Sequence, residues 1–128
     1  MAACGILAAS ALLTGCATAP TTSTFVSHSG ASTITLHLGQ APIPANKSEP
    51  VTVTVTGPDA SKVTSGVQVI ATMNDMSMPS ETFVLHAGRA DQYTGSIIVV
   101  MGGSWTLRVV APLGIRELQA AFRVTANE

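Results

Sequence analysis

The stretch "VTVTVTGPD", residues 51–59, constrains the fold more than any other part of the chain. Val51, Val53 and Val55 alternate strictly with Thr52, Thr54 and Thr56. A period of two puts the valines on one face of an extended strand and the threonines on the other, whereas a helix would scatter both around its surface. β-branched side chains reinforce the choice, because they fit a pleated, half-buried surface. Gly57-Pro58-Asp59 then supplies turn chemistry that ends the run. A strand with one apolar face must cover that face with a second layer.

The same pattern recurs along the chain. "TITLHL" sets Ile34, Leu36 and Leu38 against Thr35 and His37. "GVQVIATM" aligns Val67, Val69, Ala71 and Met73. "ETFVLHAG" places Phe83 and Leu85 opposite Val84 and His86. "DQYTGSIIVV" aligns Tyr93, Gly95, Ile97 and Val99, and "SWTLRVVA" aligns Trp105, Leu107 and Val109. In "IRELQAAFRVTA", Ile115, Leu118 and Phe122 also match helical spacing. Pro112 and Gly114 leave little room for a helix, and the run into "AFRVTA" favours a strand with Leu118, Ala120, Phe122 and Val124 inward. About seven strands at regular spacing predict an all-β fold, an immunoglobulin-like antiparallel β-sandwich. Trp105 is its expected core anchor, and a buried indole N–H needs an acceptor. Gly102-Gly103 reads as a hairpin turn.

The 128 residues suffice for one domain. A formal net charge of -1, with 10% charged residues, offers no basic field for nucleic acid. Hydroxyl side chains supply the polar outer faces instead. "MAACGILAASALLTG", residues 1–15, is an uncharged apolar run too short to span a bilayer, and reads as the apolar region of a secretory signal. No Lys or Arg precedes Lys47. Residues 16–32, rich in Thr, Ser, Ala and Pro, read as a tether in which Phe25 and Val26 could form a first short strand. The folded domain is expected over residues 33–128.

"LLTGC" resembles the lipobox of bacterial lipoproteins, with Leu13, Thr14 and Gly15 before Cys16. The resemblance implies lipidation of Cys16, cleavage before it, and an acylated N-terminus that holds the chain on a cell membrane or outer membrane, facing the periplasm or the exterior. Two or more acyl chains anchor stably where one does not. With Cys4 removed and Cys16 lipidated, no thiol remains for a disulfide or a nucleophile.

"VQVIATMNDMSMP" followed by "ADQYTGSIIVVMGGSWTLRVV" resembles the YtkA-like domain family. Tyr93 and Gly95 match its Y-x-G element, and Met101, Gly103 and Trp105 match M-x-G-x-W. Met76, Met78 and Pro79 fall where the family carries M-P and M-x-M motifs. Ser80 and Glu81 stand where the family often has Gly and His, and Asp91-Gln92 replaces the Gly before the tyrosine. The resemblance implies a small envelope β-sandwich linked to copper handling or to accessory roles in membrane metal systems.

"MNDMSMPSE", residues 73–81, holds three of the chain's five methionines. Thioether sulfur is a soft ligand suited to Cu(I). Met76 and Met78 in an extended segment point to one side, about 7 Å apart at the backbone. Met73, at a strand end, and His86, on the next strand, complete the candidate metal set, and Met101 joins only if the turns share one end of the sandwich. Two other readings stand beside the metal: core packing, with Met73 inside, and an adaptable surface for an envelope protein partner. His28, His37 and His86 lie in separate segments without ligand spacing, no G-x-S-x-G elbow occurs, and no carboxylates pair. The expected function is that of a non-catalytic, membrane-anchored binding or accessory module.

Overall fold

The structure, a computed structural model, describes residues 23–64, 66–89 and 91–128. The expected signal region, Cys16 and the first part of the expected tether lie outside the described residues. Ten strands run through the described part: β1 (Ser23–Ser29), β2 (Ser32–Leu38), β3 (Ile43–Pro44), β4 (Glu49–Thr56), β5 (Gln68–Met73), β6 (Glu81–Val84), β7 (His86–Ala87), β8 (Gln92–Ile97), β9 (Gly103–Leu113) and β10 (Arg116–Asn127). One sheet has the order β1-β2-β4-β8-β7 and the other β3-β10-β9-β5-β6. Every pairing is antiparallel except β3 with β10. β2, β4, β8 and β7 stand in the ABED order of an immunoglobulin sandwich, and β5, β9 and β10 in its CFG order.

Six of those seven core strands are strands that alternation predicts, with inward faces as read; the seventh, β7, is only the end of the predicted strand "ETFVLHAG", whose first half is β6 of the other sheet. Val51, Val53 and Val55 are buried, as are Ile34, Leu36, Leu38, Val67, Val69 and Ala71. Leu118, Ala120, Phe122 and Val124 close the core from β10, which is a strand throughout. Each large aliphatic side chain so buried contributes roughly 1.5–3 kcal/mol. Trp105 is 1% exposed, and its Nε1–H donates to the Met101 carbonyl at 3.0 Å. The acceptor that the sequence demands is thus the main chain of the preceding loop.

Two expectations need correction. Residues 23–32 are not tether: they form β1 and its turn into β2, in full register from Ser23↔Leu38 to Ser29↔Ser32. The Ser/Thr composition that reads as a linker is also that of a strand with a hydroxyl-bearing face. Phe25 supplies the anchor, its ring edge-on to Phe122 with centroids 6.2 Å apart. Gly102-Gly103 does not close a hairpin, because β8 and β9 belong to different sheets. The segment 98–102 is a crossing between them.

Candidate functional site

The pairing register gathers one end of the sandwich. Met73 lies opposite Trp105, and Gly103 opposite Ala126. The end of β5, the start of β9 and the end of β10 therefore meet, and the loops 74–80 and 98–102 both leave from this level. Hydrogen bonds hold the first of these loops against the start of β9. Asn74 N–H donates to the Ser104 carbonyl at 2.8 Å, and Asn74 Nδ2 donates to Ser104 Oγ at 3.0 Å. Asn74 Oδ1 accepts from Thr106 Oγ1 at 2.9 Å. Asp75 Oδ2 accepts the Ser104 N–H at 2.9 Å. Asp75 thus does more than favour a turn: its carboxylate holds the methionine loop against β9.

Gly103 makes that approach possible. Its φ is +136°, a region L-residues rarely adopt. A Cβ there would stand 2.7 Å from Asp75 Oδ2 and 2.7 Å from Met73 Cε. The M-x-G-x-W pattern has a direct physical content here. The Met101 carbonyl bonds the tryptophan, and the glycine clears space for Met73 and Asp75.

The methionines divide by burial. Met73 is core, 7% exposed, with its thioether against Gly103. Met76 is 53% exposed, while Met78 and Met101 are half-buried against the core rim. Ile98 and Val100 are also exposed, on the loop that carries Met101. Of the predicted metal set, Met76 and Met78 are on the loop at this end, Met76 exposed and Met78 packed partly against the core. Met73 is at this end but turned inward. His86 is elsewhere: it pairs with Thr94, which pairs with Thr52, which pairs with His37, on the outer face of the opposite sheet. Sheets of a sandwich lie about 10 Å apart. An inward Met73 and an outward His86 on different sheets cannot share one ion. Met101, which sequence reasoning held in reserve, is brought to the end by the sheet crossing.

Among the described residues no three His, Cys, Asp or Glu side chains gather into a potential metal-holding group. The soft donor atoms carried by the loops of this end are the thioethers of Met76, Met78 and Met101. A groove of about 280 Å³ lies beside it, lined by Gln40, Pro42, Pro44, Lys47, Asn127 and Glu128 among others. Behind the groove Glu49 is 2% exposed, and its Oε2 has no hydrogen-bond partner. Burial pushes its carboxyl above the usual carboxylate range, and the backbone N–H groups of Gln40 and Gly39 hold that rise back. Gly39 leaves room for the carboxylate, since a Cβ there would stand 2.8 Å from Oε2. The sequence gives no sign of this buried acid, which sits at the start of a strand and after a lysine and a serine. The ion pairs, Asp59 with Lys62 at 3.7 Å and with Arg116 at 3.9 Å, belong to the opposite end.

No family model, no curated protein and no solved structure matches the chain.

Proposed function

We propose that this protein is a non-catalytic binding module of the cell envelope, lipid-anchored at Cys16, that offers its methionine end to a soft metal ion, Cu(I). The observation that carries the reading is that loops 74–80 and 98–102 leave from one end of the sandwich, the first held against β9 by Asn74 and Asp75, so that Met76, Met78 and Met101 all belong to that end. Thioethers favour Cu(I) over Zn²⁺, Mg²⁺ or Ca²⁺. The donors are Met76 and Met78, with Met101 as the third. Met73 serves as the packed base of the loop, and His86 takes no part. The resemblance of the 73–105 segment to YtkA-like domains points the same way. The lipobox supports the membrane location.

A Cu(I) titration against a chromogenic competitor under anaerobic conditions tests the proposal. Stoichiometric uptake that is lost in the Met76→Leu/Met78→Leu variant supports it. No uptake, or uptake unchanged in that variant, sinks it.

A second reading has its own support. Met76, Ile98 and Val100 are exposed apolar side chains at the same end, and such a surface suits docking to an envelope protein. On that reading Ile98→Asp abolishes partner capture in the envelope while Met76→Leu leaves it intact.

A further inference from the structure

The outer edge of the β1-β2-β4-β8-β7 sheet is β1, and among the described residues no strand covers it. Natural edge strands are commonly guarded by Lys, Pro, a bulge or a covering element. β1 reads "STFVSHS", with neither Lys nor Pro, and pairs with β2 in unbroken register along its whole length. It is also held in place, because Phe25 packs edge-on against Phe122 of β10.

The hairpin fixes which main-chain groups are free. The turn between β1 and β2 has two residues, Gly30 and Ala31, with Gly30 at φ +63°. Ser29 and Ser32 flank it, so they form the hydrogen-bonded pair that closes the turn. Hydrogen-bonded and non-hydrogen-bonded pairs alternate along an antiparallel ladder. Ser23, Phe25, Ser27 and Ser29 therefore turn their N–H and C=O groups toward β2. Thr24, Val26 and His28 turn theirs to the open edge.

We propose that this edge pairs with β1 of a second copy of the chain, antiparallel about a two-fold axis at Val26. In that register Val26 meets Val26 of the second copy, Thr24 meets His28 of the second copy, and His28 meets its Thr24. All three outward-facing positions are used, and each pair exchanges both main-chain bonds at about 5.5 Å between Cα atoms. The side chains fit the same register. Val26, 59% exposed on the outer face, gains an apolar partner. The Thr–His pairing repeats one the hairpin already makes twice, Thr24 Oγ1 with His37 Nδ1 at 3.0 Å and His28 Nδ1 with Thr33 Oγ1 at 3.1 Å. No Asp, Glu, Lys or Arg of β1 or β2 stands at the edge to oppose its symmetry mate. A seven-residue edge buries less than the roughly 1,200 Å² of a standard interface, so the association is reversible and concentration-dependent.

Sedimentation velocity on the full chain, with and without Val26→Lys, reads the association. Hydrogen exchange at low and high concentration reads the register. Val26 is exposed, so the lysine leaves the fold intact and sets two ammonium groups against each other at the axis. The proposal expects a concentration-dependent rise in sedimentation coefficient that Val26→Lys abolishes. It also expects the amides of Thr24, Val26 and His28 to gain protection as concentration rises, while those of Phe25 and Ser27 stay protected throughout. Sedimentation independent of concentration, association undiminished by Val26→Lys, or association without protection of those three amides overturns it.

Discussion

Replacing Gly103 by alanine tests the joint between the methionine loop and β9. Two costs can be worked from the structure. The backbone cost comes from φ +136°, which a side chain adopts at roughly 1–3 kcal/mol. The steric cost comes from a Cβ 2.7 Å from both Asp75 Oδ2 and Met73 Cε. Met73 Cε is the far end of a flexible side chain and moves for roughly 0.5–1.5 kcal/mol. Asp75 must retreat, and its charge-assisted bond to the Ser104 N–H, 2.9 Å long, weakens. That bond is solvent-exposed, so about 1 kcal/mol is its share rather than the full value of a buried one. The sum is about 2.5–5.5 kcal/mol. With a urea m-value of about 1.5 kcal/mol/M, the unfolding midpoint falls by about 2–4 M. The cycle with Asp75→Ala isolates the contact. If Asp75 is the obstacle, its removal costs about 1 kcal/mol less in the Gly103→Ala background than in the wild type. A loss under about 1 kcal/mol, or no coupling to Asp75, would refute the claim that close approach at Gly103 locks the methionine loop onto β9.

Two further changes probe other supports of the same end. Trp105→Phe leaves the Met101 carbonyl without its donor and opens space in the core, and is expected to cost about 2–3 kcal/mol by thermal or urea unfolding; a loss under about 0.5 kcal/mol contradicts the anchor role. For Glu49→Gln the sign follows from burial. The folded chain holds the Glu49 proton more tightly than the unfolded chain does. That contribution is complete below the ordinary carboxylate pKa and is lost as pH rises through the raised value. Urea midpoints should therefore show Glu49→Gln gaining on the wild type as pH increases across that window, and parallel curves would count against a desolvated carboxylate.

What the sequence made legible is what short-range periodicity encodes. The alternation in "VTVTVT" and in "SWTLRVV" identifies strand and inward face together, because a period of two has one meaning for a half-buried sheet. Three features escaped for different reasons. β3 pairs in parallel with β10, Ile43 beside Ala126, and a contact at that separation leaves no local pattern. "ETFVLHAG" alternates without interruption, yet the chain changes sheets within it. Val84 pairs with Gln68, His86 pairs with Thr94, and Leu85 stays buried between them. A change of sheet that preserves alternation is silent in sequence. That change is what carries His86 away from the methionine end, to the outer face of the opposite sheet beside Thr94. Met73 was legible as core from its phase on β5. Met101 joined the methionine end through a crossing that Gly102-Gly103 disguised as a hairpin.

The most direct test of the methionine end follows the methionine methyl carbons by NMR as Cu(I) is added anaerobically, with Ag(I) as a redox-stable stand-in. The account predicts that the methyl signals of Met76, Met78 and Met101 shift together and saturate at one equivalent, while buried Met73 shifts least. Signals that do not move, or that move without saturating, would contradict a built soft-metal site on this rim.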